Sequence, residues 1–283
     1  MNRTRWIAAA AAVLAVAGTA RAEEPPKEGW FNTADLAYAF TSGNSESETL
    51  AFSYRGTGHW GRNGFEFRTG GLHAQATTTT IFAEGLPDNY NVIEQESTGD
   101  TAELYYATAR YDRAITPRFY WFGSLGWDRN TFAGIDNRYV AAGGVGYIWL
   151  NGETMKFRTD GAATYTNQSD VVDNPDVADS YAGLRGAWAF SWNFLKNATW
   201  TNDLILDENL SETSDWRGDM FNALTVTMTD RLALKVGLRW LYDADPSFQE
   251  ADLFNSFGAN IGTVLVEHDS LDTIFTTSLV INF

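Results

Sequence analysis

The chain has 283 residues, no cysteine, and 20 Lys and Arg against 36 Asp and Glu, for a formal net charge of −16. That acidity excludes nucleic acid as a partner, because gripping a phosphate backbone requires a basic face. The missing cysteines exclude a disulfide framework, a thiolate metal site and a cysteine nucleophile, and they suit a periplasmic route.

Met1 to Ala22 reads as a secretory signal peptide. Arg3 and Arg5 supply the positive end, Ile7 to Val16 the apolar stretch, and Ala20-Arg21-Ala22 the small-residue cleavage site. Removing it takes the formal charge from −16 to −19, since Arg3, Arg5 and Arg21 leave with it. Residues 23–30, opening on Glu23-Glu24-Pro25-Pro26, form a polar lead-in expected in the periplasm. No later segment is apolar for long enough to cross a bilayer as a helix. If the remainder, 31–283, enters a membrane, it must do so as a closed barrel, which alone satisfies its backbone groups without helices.

From residue 31 the pattern has a period of two. Leu50, Phe52 and Tyr54 alternate with Ala51, Ser53 and Arg55. Met155, Phe157, Thr159, Gly161, Ala163 and Tyr165 alternate with Lys156, Arg158, Asp160, Ala162 and Thr164. Leu184, Gly186, Trp188, Phe190 and Trp192 alternate with Arg185, Ala187, Ala189 and Ser191. Leu232, Leu234, Val236, Leu238, Trp240 and Tyr242 oppose Ala233, Lys235, Gly237, Arg239 and Leu241. One greasy face and one small or polar face, over about ten residues, is what a tilted membrane-spanning strand requires.

Twelve such segments are predicted, near 31–41, 48–60, 65–77, 101–111, 119–130, 138–150, 154–166, 180–192, 198–208, 217–228, 232–242 and 272–283. The expected fold is therefore all-β: a transmembrane antiparallel up-and-down barrel of about 12 strands. Short turns such as 61–64, 151–153 and 229–231 alternate with connections that are mostly longer, such as 78–100, 167–179 and 243–271. Short turns on one side and long loops on the other mark outer-membrane barrels, and an even strand count places both termini in the periplasm. Trp60, Phe65, Tyr111, Phe119, Trp121, Trp149, Trp192 and Trp200 flank the short turns, as an interfacial girdle would. A soluble β-sandwich shares the alternation but not this asymmetry of connections.

The final strand ends on an aromatic, with Phe275, Leu279, Ile281 and Phe283 on one face. That pattern resembles the signal read by the bacterial barrel-assembly machinery, an expected partner during insertion, by strand addition. The expected surroundings are outer-membrane lipids, including lipopolysaccharide.

Three motifs carry a family resemblance. Leu36-Ala37-Tyr38-Ala39-Phe40-Thr41-Ser42-Gly43-Asn44-Ser45, the run from Trp127 to Arg138, and Thr229-Asp230-Arg231-Leu232-Ala233-Leu234-Lys235 are similar to segments of the salt-induced outer-membrane proteins, a family of unknown function. The resemblance implies an outer-membrane barrel and carries over no substrate or catalytic residue. The long segment 243–271 departs from it.

The chemistry on offer is mainly charge. Arg55, Arg68, Arg110, Lys156, Arg158, Arg185, Lys235 and Arg239 fall on the small or polar face, as do Glu66, Asp128, Asp160 and Asp203. Placing them in lipid would be very costly, so they are expected to face a lumen or one another. Either they line a pore with a basic bias, or they pair into a network that plugs a narrow barrel. His59, His73 and His268 are too scattered to share a metal, and no metal site or cofactor is expected. Ser53 with His73 is the one Ser and His pair worth weighing for a lipid-acting enzyme, and their opposite parity argues against it. Gly70-Gly71 and Gly143-Gly144 lack the G-K-[ST] of a phosphate loop. The long connections are acidic (Glu84, Asp88, Glu94, Glu96 and Asp100; Asp170, Asp173, Asp176 and Asp179; Asp243, Asp245, Glu250, Asp252, Glu267 and Asp269). Such a mouth concentrates cations and can hold divalent ions loosely, although no calcium-loop spacing is present. The leading expectation is a passive channel for ions or small polar solutes. The alternative is a closed barrel presenting acidic loops, and an enzyme is not expected.

Overall fold

In the computed structural model, residues 28–41, 46–86, 89–172, 178–257 and 259–282 are described. The signal peptide 1–22, lead-in residues 23–27, the Ser42–Asn44 connection, Asp88, Asp173, Asp176 and the terminal Phe283 lie outside the described residues.

The strands are β1 (Gly29–Thr41), β2 (Glu46–Trp60), β3 (Asn63–Leu86), β4 (Asn89–Ala114), β5 (Phe119–Asn130), β6 (Ile135–Asn151) and β7 (Met155–Asp170). They continue with β8 (Ser180–Leu195), β9 (Ala198–Asn209), β10 (Trp216–Thr227), β11 (Leu232–Asp243), β12 (Phe248–Phe254), β13 (Asn260–Glu267) and β14 (Leu271–Asn282). Twelve of them close an antiparallel barrel in the order β1-β14-β11-β10-β9-β8-β7-β6-β5-β4-β3-β2, while β12 and β13 form a separate two-stranded sheet. The closing ladder is the shortest in the wall. Among the described residues β1 pairs with β14 only from Thr33↔Asn282 to Leu36↔Leu279, whereas it pairs with β2 along its whole length.

Burial follows the two-residue period, because successive side chains leave a strand on opposite faces. On β14, Ile274, Thr276, Ser278 and Val280 are buried, and Phe275, Leu279 and Ile281 are exposed on the outside. On β7, Ala162, Thr164 and Thr166 are buried, and Gly161, Ala163 and Tyr165 are exposed. The outer surface is therefore the greasy one: Leu125 is 67 % exposed and Leu36 56 %. Aromatic rings meet beside the short turns, in the contacts Trp30–Trp60, Trp30–Phe65, Tyr111–Trp121, Tyr147–Trp149 and Trp192–Phe194.

Two expected loops are strands instead. Residues 78–100 are mostly the upper part of a β-ribbon, with β3 and β4 paired out to Leu86↔Asn89 and shifting register once near Ala74 and Gln75. Such a ribbon, extending beyond the barrel wall, needs no greasy face, so apolar alternation does not mark it. Residues 243–271 contain the β12–β13 hairpin, paired from Phe248↔Glu267 to Phe254↔Asn260.

Candidate functional site in the barrel interior

The inward residues of the half nearest the short turns are locked together by charge. Arg55 and Arg68 are register partners on β2 and β3, and Glu66 bridges them, paired with both guanidinium groups. Arg110 on β4 donates to Asp112 (2.9 Å) and reaches past β5 and β6 to Asp160 on β7 (2.8 Å). Its guanidinium carbon lies 3.9 Å from the centroid of the Phe122 ring. Tyr120 donates its hydroxyl to the other Asp160 oxygen. Gly146 leaves room for that contact, since a Cβ there would lie 2.2 Å from the Tyr120 ring. Lys235 on β11 pairs with Asp35 on β1, and Ser53 also donates to Asp35 (3.3 Å).

The other half holds a cavity of about 320 Å³. Its deepest lining residues are Arg68, Thr108, Asp203 and Phe221, and it extends up to Asp243, Asp269 and Asp272 at the end carrying the longer connections. Around its wall, Arg138 and Asp128, Arg185 and Asp207, and Arg239 and Asp219 form two-pronged guanidinium–carboxylate pairs with shortest contacts of 2.5–2.8 Å. The planar guanidinium fork suits this geometry. Arg217 is held differently. It donates to Gln168 across the interior (2.9 Å), sits over the Tyr181 ring at 5.3 Å, and has Asp215 only at 3.8 Å. Asp215, in the β9–β10 connection, accepts from Asn209 (2.9 Å), and burial raises its pKa above the ordinary carboxylate range. Seven carboxylates (Asp128, Asp203, Asp207, Asp219, Asp243, Asp269 and Asp272) and five arginines (Arg68, Arg138, Arg185, Arg217 and Arg239) line the cavity.

Of the charges expected inside, Arg55, Glu66, Arg68, Arg110, Asp128, Asp160, Arg185, Lys235 and Arg239 sit in these ion pairs. Lys156 and Arg158 share the inward parity of Ala162 and Thr164 on β7 and have no ion-pair partner among the described residues. Asp203 is likewise without a direct ion pair and lies in the field of Arg68, Arg158 and Arg55. Sequence reading missed Asp35, Asp112, Arg138, Asp207, Arg217 and Asp219. Their signal was parity with inward neighbours: Asp219 and Arg217 share a face with the buried Phe221. With these included, ten basic side chains face eight acidic ones, so the basic excess narrows from four to two.

Ser53 points inward toward Asp35, whereas His73 lies 3.5 Å from Asp100 and follows the outward parity between the buried Leu72 and Ala74. The two are not brought together. Among the described residues no group of three or more His, Asp or Glu side chains is placed to hold a metal ion.

Solved structures similar to this chain include the NanC porin, at 9 % identity and a TM-score of 0.42, with 89 % of this chain and 97 % of that chain covered. The KdgM porin is 10 % identical at a TM-score of 0.41, with 90 % and 99 % covered. An anion-selective porin from Comamonas acidovorans is 12 % identical at 0.39, again with 90 % and 99 % covered. Among curated proteins no sequence matches it. Residues 34–262 match the family described as "Protein of unknown function, DUF481", and the chain belongs to that family.

Proposed function

We propose that this chain is an integral outer-membrane barrel that acts as a narrow passive channel for small cations and small polar solutes, with both ends of the barrel chain on the periplasmic side. The observation that carries the reading is the cavity, which reaches the barrel end with the longer connections and is lined by more carboxylates than guanidinium groups. A cleft with excess negative charge and low-dielectric walls raises the local cation concentration. The membrane location is supported by the exposed apolar outer wall and the aromatic contacts beside the short turns. The resemblance to salt-induced outer-membrane proteins fits an acidic mouth that gathers cations.

In this reading the Arg55–Glu66–Arg68 and Arg110–Asp160 networks, on the short-turn side of the cavity, are the narrowest part of the path. Ions would pass beside these pairs and beside Arg158 and Asp203, which have no ion-pair partner among the described residues. A second reading, a barrel closed to solutes, is favoured by one observation. Ala37, Ala51, Leu72, Leu104 and Ile274 make an apolar cluster inside the wall beside the closing seam. Liposome swelling separates the two. Folded protein in vesicles should admit small polar solutes, and vesicles that swell no faster than empty ones would favour the closed barrel.

A further inference from the structure

The connection from β11 to β14 crosses the mouth. It leaves Asp243, where Ala244 donates its backbone N–H to Trp216 (3.1 Å), and its Pro246 and Ser247 are buried. The returning limb is tied to the outgoing one: His268 donates to the carbonyl of Ser247 (3.0 Å) and Asp243 to that of Ser270 (2.9 Å). The far end of this two-limbed strap rests on Gly134, in the turn between β5 and β6. A Cβ on Gly134 would lie 2.6 Å from Ser247 Cβ and 3.0 Å from His268 Cδ2.

That turn is on the opposite wall. Going round the barrel, four strands (β10, β9, β8 and β7) separate β11 from β6, and four (β1, β2, β3 and β4) separate β14 from β5. The four residue steps from Asp243 to Ser247 extend at most about 14 Å, and the contact at Gly134 shows that this reach suffices. Pro246, Asp269 and Ser270 line the cavity, so the strap is also its roof. Gly134 has φ +77, and both that left-handed conformation and the missing side chain permit the contact.

We infer that this strap sets the size limit of the mouth. The inference rests on reading the interior as a solute path. At its β11–β14 end the strap is fixed by the chain itself. At the Gly134 end it is held by packing, with no backbone hydrogen bond between the strap and Gly134 among the described residues. Solutes enter past its flanks, beside Asp269 and Asp272, and anything too bulky for the divided opening is turned away.

The absence of cysteine gives a clean test. Thr108→Cys places one thiol deep in the cavity. Intact cells displaying the barrel are treated from outside with a small cationic methanethiosulfonate or with a maleimide carrying a poly(ethylene glycol) chain. The small reagent should label Cys at position 108 and the bulky one should not. Adding Ser247→Trp, which cannot sit against Gly134, should abolish the protection. Equal labelling by both reagents without Ser247→Trp overturns the inference, even if Ser247→Trp fails to fold. Continued protection in a folded Ser247→Trp barrel, judged by heat-modifiable gel mobility, also overturns it. Conductance is read separately. A silent barrel with size-dependent labelling removes the channel reading and keeps the strap, and a conducting barrel with size-independent labelling removes the strap alone.

Discussion

Lys235 and Asp35 form an ion pair across β14, 200 residues apart in sequence and only 2 % and 3 % exposed. The pair ties β11 to β1 where the closing ladder has four residue pairs among the described residues. Removing one partner of a buried pair strands the other charge, at a typical cost of about 3–5 kcal/mol. Lys235→Met should therefore destabilise the barrel by about that much, and Lys235→Met with Asp35→Leu should recover most of the loss. Denaturant unfolding in lipid vesicles checks both. A single variant as stable as the parent would show that the seam does not depend on the pair.

The neighbouring residue tests which face is which. Val236 is exposed on the outer wall between the buried Lys235 and Gly237. Val236→Arg puts a charge against hydrocarbon and should cost about 2–4 kcal/mol if the site lies near the midplane. The same unfolding measurement reads the change, and parental stability would mean that this wall does not face lipid.

Gly143 and Gly144 are adjacent and face opposite ways. A Cβ on Gly143 meets nothing within 4 Å, whereas one on Gly144 would lie 2.1 Å from the backbone oxygen of Gly161. Gly143→Ala should fold like the parent, and Gly144→Ala should cost about 1–3 kcal/mol, the usual range for overpacking. Equal behaviour in heat-modifiable mobility and unfolding would contradict the close approach of β6 and β7.

The strands and their faces were legible because alternation is a local signal. Lys235 could be assigned inward from its own strand, as could Arg110 and Asp160. Their partners could not be assigned, because Arg110 meets Asp160 across two intervening strands, and that depends on the curvature of the closed wall. The β3–β4 ribbon escaped notice for a different reason. Its upper part is held by backbone pairing and by contacts such as Thr77 with Thr98 (2.8 Å), which leave no apolar period. The strap was hidden because neither Gly134, although it lies in the Trp127–Arg138 motif, nor Ser247 carries a charge, and their meeting depends on the closed strand order, which no local pattern shows.

The channel reading is tested most directly by reversal potential in a planar bilayer under a potassium chloride gradient. Folded parent should conduct with a preference for K⁺. Asp243→Asn with Asp272→Asn, which removes two cavity carboxylates that have no ion-pair partner among the described residues, should weaken that preference and leave folding intact. Silence from protein shown to be folded, or a preference for chloride in the parent, would contradict the account.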